Sequence, residues 1–408
     1  MSDTVTSVDG ALRERARAVV PGGMYGHMDA GRFPLAFPQF YARAEGCRTW
    51  DVDGRGYLDY LCAFGPMVLG YQNPIVEQAA ARQRSDGDCM SGPSARFVEL
   101  AELFVDTVPA ADWVKFAKNG TDATTTCLTI ARAATGRRTV LAAAGTYHGA
   151  APWCTPRTAG VIPEDRAHLR YFTYNDLDSV QRAVDEADGD VAAVIVTPFR
   201  HEIRAAQQAV DPDFARGLRA LCTRIGAVLI LDDVRAGMRL HVGGSWEPYG
   251  VRPDLSAWSK AIANGYPLAA ITGVDALRDA AREVYITGSF WYGSVAMAAA
   301  IATIGEIRRI DAPAQIGRVG ELLRAGLVEQ AQRHGVGINH SGPPQMPLLT
   351  FAADPDFAIA DAWTTECLRG GALFHPWHNG FLSTAHTESD IARTLEITDR
   401  AFEAVSRR

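Results

Sequence analysis

The residues best placed to do chemistry lie between positions 227 and 267, AVLILDDVRAGMRLHVGGSWEPYGVRPDLSAWSKAIANGYP. Asp232 and Asp233 close a run, Ala227–Leu231, that is apolar on both faces and so predicts a buried strand of a parallel sheet. Ligand crevices of such sheets lie outside the carboxyl ends of the strands. A carboxylate buried there is costly unless a cation or a strong donor meets it. Lys260 follows, in Ala-Trp-Ser-Lys-Ala-Ile-Ala-Asn-Gly, and is one of only three lysines (with Lys115 and Lys118) against 37 arginines. Arginine keeps its proton in a protein, whereas a desolvated lysine can shed one and become a nucleophilic amine. A strand-end acid and a semi-buried amine are what pyridoxal phosphate chemistry needs: the amine forms the Schiff base, and the acid keeps the pyridine nitrogen protonated so that the ring draws in electrons. The same residues also fit plainer readings, in which Asp232-Asp233 is a helix cap or a magnesium site and Lys260 is a structural ion-pair partner.

Those residues need a scaffold, and 408 residues are enough for two or more domains with a sizeable core. With 47% hydrophobic and 21% charged residues and a net charge of −7, the chain has the composition of a soluble globular protein and not of a nucleic-acid or anionic-membrane binder. No apolar stretch is long enough to span a bilayer, and the first twenty residues lack a signal peptide's basic start and apolar core. The seven cysteines are scattered, without CxxC spacing, and read as reduced thiols of a cytoplasmic protein; no metal site is expected.

Along the chain, a short helix is expected at 10–20, broken by Pro21-Gly22-Gly23. Arg43–Tyr60 reads as a β-meander around the tight-turn pair Asp53-Gly54. Helices at about 74–84 and 94–107 precede a strand, Trp113–Ala117. Lys118-Asn119-Gly120-Thr121-Asp122-Ala123 then opens a helix, and a Gly-Thr pair at a helix N-terminus is either an anion site or plain capping. The strand Thr139–Ala143 leads into Gly145-Thr146-Tyr147-His148-Gly149, which puts an aromatic at a strand's carboxyl end, for ligand contact or for packing. Val191–Val196 is a further buried strand ending in Thr197-Pro198-Phe199-Arg200-His201, and a helix at 212–225 leads into the central stretch.

This alternation from 113 to 272 predicts an α/β domain with a mainly parallel sheet. No GxGxxG follows a strand and there is no Walker loop, so nicotinamide and P-loop readings lack their motifs. Past Thr287–Gly293 a long helix is expected from about 294 to 309. The domain expectation is an N-terminal segment, 1–65, packing with the small domain; a large cofactor-binding domain, 66–295; and a smaller α+β domain, 296–408.

Taken in order, Pro21-Gly22-Gly23, EGCRTWDVDGRGYLDY, FGPMVLG, NGTDA, TYHG, LDDVRAGMR, SKAIANGYP and SVAMAAA give a pattern over nearly the whole chain. By it the chain resembles the fold-type I pyridoxal-phosphate enzymes of aminotransferase class III, most nearly the glutamate-1-semialdehyde 2,1-aminomutase branch. The resemblance implies an α/β fold, pyridoxal 5'-phosphate as cofactor, and Lys260 as the Schiff-base lysine that also shuttles a proton. Asp232 would pair with the pyridinium nitrogen, Val234 and Tyr147 would face the two sides of the ring, and Gly120 and Thr121 would cradle the phosphate. His148 falls within the same cofactor-binding set. Ser289 stands where the family usually has a threonine reaching the neighbouring subunit's phosphate, which implies a homodimer with shared active sites.

The departures bear on substrate. Thr197-Pro198 replaces a frequent Glu-Pro, Asp29 stands where the aminomutase has an arginine (with His27 and Arg32 nearby), and Phe374–Gly380 replaces the aminomutase's C-terminal pattern. Glutamate semialdehyde is therefore not the expected substrate. Tyr25, His27, Trp153, His201, Arg204, Trp291, Tyr292, Trp377 and His378 are the candidate substrate residues, with core or dimer-interface packing as the alternative. Arg204 or Arg32 has the geometry to hold a carboxylate. The expected function is transfer of an amino group between an amino acid or amine donor and a keto or aldehyde acceptor. An aminomutase, or a racemase or epimerase, would use the same groups. Retention of Lys260, Asp232 and Gly120-Thr121 argues against a non-catalytic scaffold.

Overall fold

The structure, a computed structural model, describes residues 7–201 and 205–407. These fall into two compact units: a smaller one built from residues up to Phe64, Leu69–Asn73 and Ala314 onward, and a larger one built from Gly65–Val68 and Pro74–Pro313.

The chain enters the smaller unit with α1 (Val8–Val19), capped by the Ser7 side chain, which accepts from the Gly10 amide. The antiparallel strands β1 (Tyr41–Glu45), β2 (Arg48–Asp51) and β3 (Gly56–Asp59) follow. Asp51 shapes their turn: Oδ1 accepts from the Asp53 and Arg55 amides, and Oδ2 accepts from the Tyr57 hydroxyl at 2.7 Å.

The larger unit begins with α2 (Pro74–Asp86) and α3 (Arg96–Thr107). It continues through β4 (Trp113–Ala117), α4 (Gly120–Thr135), β5 (Thr139–Ala143), β6 (Leu169–Phe172), α5 (Leu177–Glu186) and β7 (Val191–Val196). A short hairpin, β8 (Phe199–Arg200) with β9 (Gln208–Ala209), leads to α6 (Pro212–Ile225), β10 (Val228–Asp232), β11 (Leu255–Trp258), β12 (Ala269–Gly273), α7 (Arg278–Glu283) and α8 (Ser294–Ile310). Seven of these strands form one sheet in the order β4-β12-β11-β10-β7-β5-β6, in which β12 runs antiparallel to both neighbours and the remaining pairings are parallel.

Every residue of β7 and of β10 is buried, as a sheet covered on both faces requires. Alternation divides them: Val194 and Val196 pack with Leu218 and Phe214 on one face, while Ala193 and Ile195 pack with Ala123 and Ile130 on the other.

The unit boundary differs from the sequence expectation of 295/296. Helix α8 belongs to the larger unit, and the division falls between Pro313 and Ala314. The reason is its composition. Val295, Ala296, Met297, Ala298, Ala299 and Ala300 are all buried, so its first turns are apolar all round and pack on α2 and α3 rather than presenting a single stripe.

The chain returns to the smaller unit with α9 (Ala312–Arg333), the hairpin β13 (Ile338–Ser341) and β14 (Leu348–Phe351), α10 (Ala358–Gly370), β15 (Ala372–Leu373) and α11 (Glu388–Ser406). Strand β15 pairs in parallel with β3, Ala372 opposite Leu58, so one four-stranded sheet joins the two ends of the chain.

Candidate active site

The strand ends converge. In the parallel part of the sheet Leu231 lies opposite Val196 and Asp232 opposite Ala257. The segments that follow β4, β5, β7, β10 and β11 therefore leave the sheet at one edge. Those segments carry Gly120-Thr121, Tyr147-His148, Thr197, Asp232 and Lys260 in turn.

Asp232 is 4% exposed and is held by His148, whose Nδ1 lies 2.7 Å from Oδ2. His148 is itself fixed: Nε2 lies 3.0 Å from the Thr146 hydroxyl, its carbonyl accepts from Thr124 Oγ1, and its ring stacks on Trp153 at 18° between planes. The other oxygen, Oδ1, accepts from the Val234 amide at 3.2 Å. Both Asp232 and His148 are buried, so each is anchored in a low-dielectric setting in which a charge on the partner counts heavily.

Lys260 opens a turn of 3₁₀ helix, Lys260–Ala263, directly after β11, with φ at 52°. A side chain other than glycine's held in the left-handed region costs roughly 1–3 kcal/mol, and such strain gathers at functional positions. The preceding residue fixes the bend, Ser259 Oγ donating to the Leu268 carbonyl at 2.8 Å. Burial, followed by the nearby Arg235 guanidinium, lowers the Lys260 pKa to about 7 against the pull of Asp232. Near neutral pH a large share of the amine is therefore unprotonated and nucleophilic.

The sequence expectation of an anion site falls at the start of α4. Asn119 caps the helix, its side chain accepting from the Asp122 amide while Asp122 reaches back to the Asn119 amide. The first-turn amides of Gly120 and Thr121 stand at the positive end of a 16-residue helix. A Cβ on Gly120 would lie 2.6 Å from Val234, so only glycine lets the helix start approach the end of β10 this closely. Thr121 Oγ1 accepts from the Ala150 amide, and Gly149, at φ 128°, leaves no room for a Cβ beside it. Tyr147 is 39% exposed, and Val234 is partly exposed between buried neighbours.

The remaining sequence candidates divide between the units. In the larger, Trp153 is engaged by His148 and donates from Nε1 to Thr125 Oγ1 at 3.0 Å. His201 is 4% exposed, packs edge-on to Phe199, and its Nδ1 has no hydrogen-bond partner among the described residues. Burial and the Arg235 charge push its pKa well down, so it is neutral. Trp291 packs against the core, Tyr292 is partly buried, and Ser289 is exposed in a turn beside Phe290, which is 67% exposed. Arg204 lies outside the described residues. In the smaller unit, His27 meets Phe64 edge-on, Trp377 meets Phe33 and His375, and His378 meets Phe64 and His375. Tyr25 is 75% exposed, and Arg32 approaches Asp29 at 3.8 Å.

Two residues were not among the sequence candidates. Arg235 is buried within electrostatic reach of Asp232, Tyr147, His201 and Lys260, and burial lowers its pKa to about 10. Its signal was available: an arginine three residues past a strand-end aspartate, in an otherwise apolar or small run. Asp233 has a different task from its neighbour. It accepts from the Ser245 amide and hydroxyl, pinning the Gly243–Ser245 turn, and burial raises its pKa to about 7.

A lysine amine of lowered pKa, a buried carboxylate, a helix-start anion cradle and an exposed tyrosine on one sheet edge fit a phosphorylated pyridine aldehyde. Together with the sheet topology they define a pyridoxal-phosphate enzyme of fold type I. The chain belongs to the family described as aminotransferase class-III, whose model matches residues 33–340. It is 53% identical over 396 residues to an aminopentol aminotransferase of Sphingopyxis macrogoltabida, covering 97% of this chain and 94% of that protein. A solved structure of the Sphingopyxis sp. MTA144 FumI protein, in its PLP internal aldimine form, matches with a TM-score of 0.97 at 52% identity over 98% of this chain and 96% of that one. The likeness to glutamate-1-semialdehyde 2,1-aminomutase is more distant, 32% identity to that of Desulforamulus reducens over 97% of each chain. The protein is a pyridoxal-phosphate-dependent aminotransferase.

Proposed function

We propose that the amino donor of this aminotransferase is an amino alcohol, of the kind named by its aminopentol-transferring relative, and that the acceptor is a keto acid or aldehyde. The observation that carries this reading is the 53% identity to that relative across 97% of the chain. The site's own chemistry agrees. Thr197, at the end of β7, is fully buried with its hydroxyl turned back to the Phe199 carbonyl at 2.8 Å, so this strand end presents no carboxylate. The neutral, buried His201 nearby is suited to a hydroxyl rather than to a charge.

Pyridoxal 5'-phosphate supplies an aldehyde that takes up the amine and a ring that draws electrons from the bond being broken. The protein's residues then have separable tasks. Asp232, oriented by His148, holds a proton on the ring nitrogen. Lys260 Nζ, unprotonated near neutral pH, would hold the cofactor's aldehyde carbon and, once the donor amine had displaced it, would take the proton from the carbon that bears the donor's nitrogen. The Gly120 and Thr121 amides would hold the phosphate, and Val234 and Tyr147 would stand on either side of the ring. Ser289 donates to the phosphate of a second copy, which makes the enzyme a homodimer. Tyr285 and Phe290, 89% and 67% exposed on the loop that bears Ser289, support that assembly because a second chain would cover them. Seven cysteines without a disulfide, five of them buried, support a reducing, cytoplasmic setting.

The test is a donor panel. Amino alcohols, their deoxy amines and α-amino acids are each offered with pyruvate, and alanine formed is measured. Turnover should be greatest with amino alcohols. Efficient use of α-amino acids alone would overturn the donor assignment, and absence of Ser289-dependent activity in a stable dimer would overturn the shared site.

A further inference from the structure

The smaller unit contains a cavity of about 30 Å³ between the β13–β14 hairpin, α10 and the loop at 374–380. Much of its wall is apolar, with Leu323, Leu327 and Leu349 contributing. Yet four buried polar atoms on three of its side chains lack a hydrogen-bond partner among the described residues: both ring nitrogens of His340, Trp363 Nε1 and Thr364 Oγ1. Trp363 is 3% exposed and Thr364 0%, so solvent does not serve them. Roughly 90% or more of buried polar groups in folded proteins have a partner. Three side chains short of partners on one cavity mark a place that a ligand completes.

The bonding pattern selects the ligand. An indole N–H only donates, so the occupant must offer an acceptor, which excludes an ammonium or metal cation there. Burial, with Arg324 alongside, lowers the His340 pKa to about 4. The neutral ring then has one N–H and one bare nitrogen, and the occupant must also donate, which a halide or carboxylate cannot do. A neutral hydroxyl, which both accepts and donates, meets this pattern, and the leucine wall suits an alkyl group beside it. Size sets the rest: at roughly 10–15 Å³ per water, the space holds about two waters or a molecule of about three heavy atoms.

We propose that this cavity is a binding site for a small neutral alcohol, with the hydroxyl seated on His340, Trp363 and Thr364 and the alkyl part against Leu323, Leu327 and Leu349. Water occupies it when no alcohol is present. The cavity is lined by residues of the smaller unit alone, and the proposal does not depend on the donor proposed above.

The test uses the holoenzyme with ethanol as the probe and the indole N–H resonance of Trp363, assigned with Trp363→Phe, as the readout. A saturable ethanol shift is expected at Trp363 and not at the other tryptophans, with no response to sodium formate. Thr364→Val should weaken ethanol binding about fivefold by removing one hydrogen bond, Thr364→Ser should restore it, and neither should alter turnover. The proposal is overturned by a shift that rises linearly and equally at all tryptophans, or by a saturable response to formate. A high-resolution crystal structure grown without alcohol gives an independent check: water bonded to His340, Trp363 and Thr364 supports the site, and a dry cavity overturns it.

Discussion

The two units treat buried polar groups in opposite ways. At the sheet edge of the larger unit Asp232 is met by His148, which is met by Thr146, and the strand ends set the register of all three. In the smaller unit His340, Trp363 and Thr364 face one cavity with their hydrogen bonds unmade. The first arrangement spends stability on a strained lysine and a desolvated amine so that charge is ready to act when a cofactor arrives. The second holds polarity that only an occupant satisfies. Substitutions at the edge should therefore appear in rates, and those at the cavity in stability.

The largest expected effect is that of Lys260→Ala, which removes the residue proposed as both attachment point and proton carrier. Steady-state transamination should fall at least ~10⁴-fold, while thermal denaturation of the cofactor-free protein is not lowered. Activity within tenfold of the parent would break the comparison. Asp232→Asn should follow, because it removes the buried carboxylate proposed to hold a proton on the ring nitrogen. The check is a drop of about two orders of magnitude or more in kcat with the fold unchanged by circular dichroism. His148→Phe leaves the carboxylate but not its orientation. It should cost about tenfold in kcat, the value of one hydrogen bond to a charged group.

A pH measurement sharpens the contrast. The folded pKa of Lys260 is lowered from 10.5 to about 7. Between those values the unfolded chain binds more protons, so stability rises with pH in that window and the burial penalty is present in full below it. Without cofactor, the parent protein's stability relative to Lys260→Ala should therefore climb between pH 7 and 10, by up to ~1.4 kcal/mol per unit, as read by urea unfolding. The smallest effect belongs to the cavity. Trp363→Phe deletes a donor without a partner and should shift stability by no more than about 1 kcal/mol, leaving turnover within about twofold.

How much of this was legible in the sequence depended on whether the information was local. The run Ala227–Leu231 with its terminal aspartate, and Gly120-Thr121 ahead of an Ala- and Thr-rich stretch, each carry their own structural signal, and the structure puts a strand at Val228–Asp232 and a helix at Gly120–Thr135. The task of His148 was not legible. It stands 84 residues from Asp232, on the end of a strand separated from β10 by β7, and only the sheet order brings the two together. Asp233 looked like a twin of Asp232. The difference is its partner, Ser245, supplied by a turn that the apolar pattern does not forecast. The sequence expectation put most of helix α8 in the smaller unit, and the burial of its first turns all round is what ties it to α2 and α3. The cavity of the smaller unit left no mark in the sequence at all, since it is set by side chains not used.

The scarcity of lysine has a practical result. None of the three is fully exposed: Lys115 donates to the Ala281 and Val284 carbonyls, Lys118 donates to the Pro267 carbonyl at 3.2 Å, and Lys260 is partly buried. The chain's positive charge is carried almost entirely by guanidinium groups, which do not condense with carbonyl compounds under mild conditions. A carbonyl compound formed by transamination meets few side-chain amines to modify, so the catalyst is guarded against its own product. The same economy makes amine-directed dyes and activated resins poor handles for this enzyme, and makes reductive trapping with an aldehyde a nearly residue-specific label for position 260.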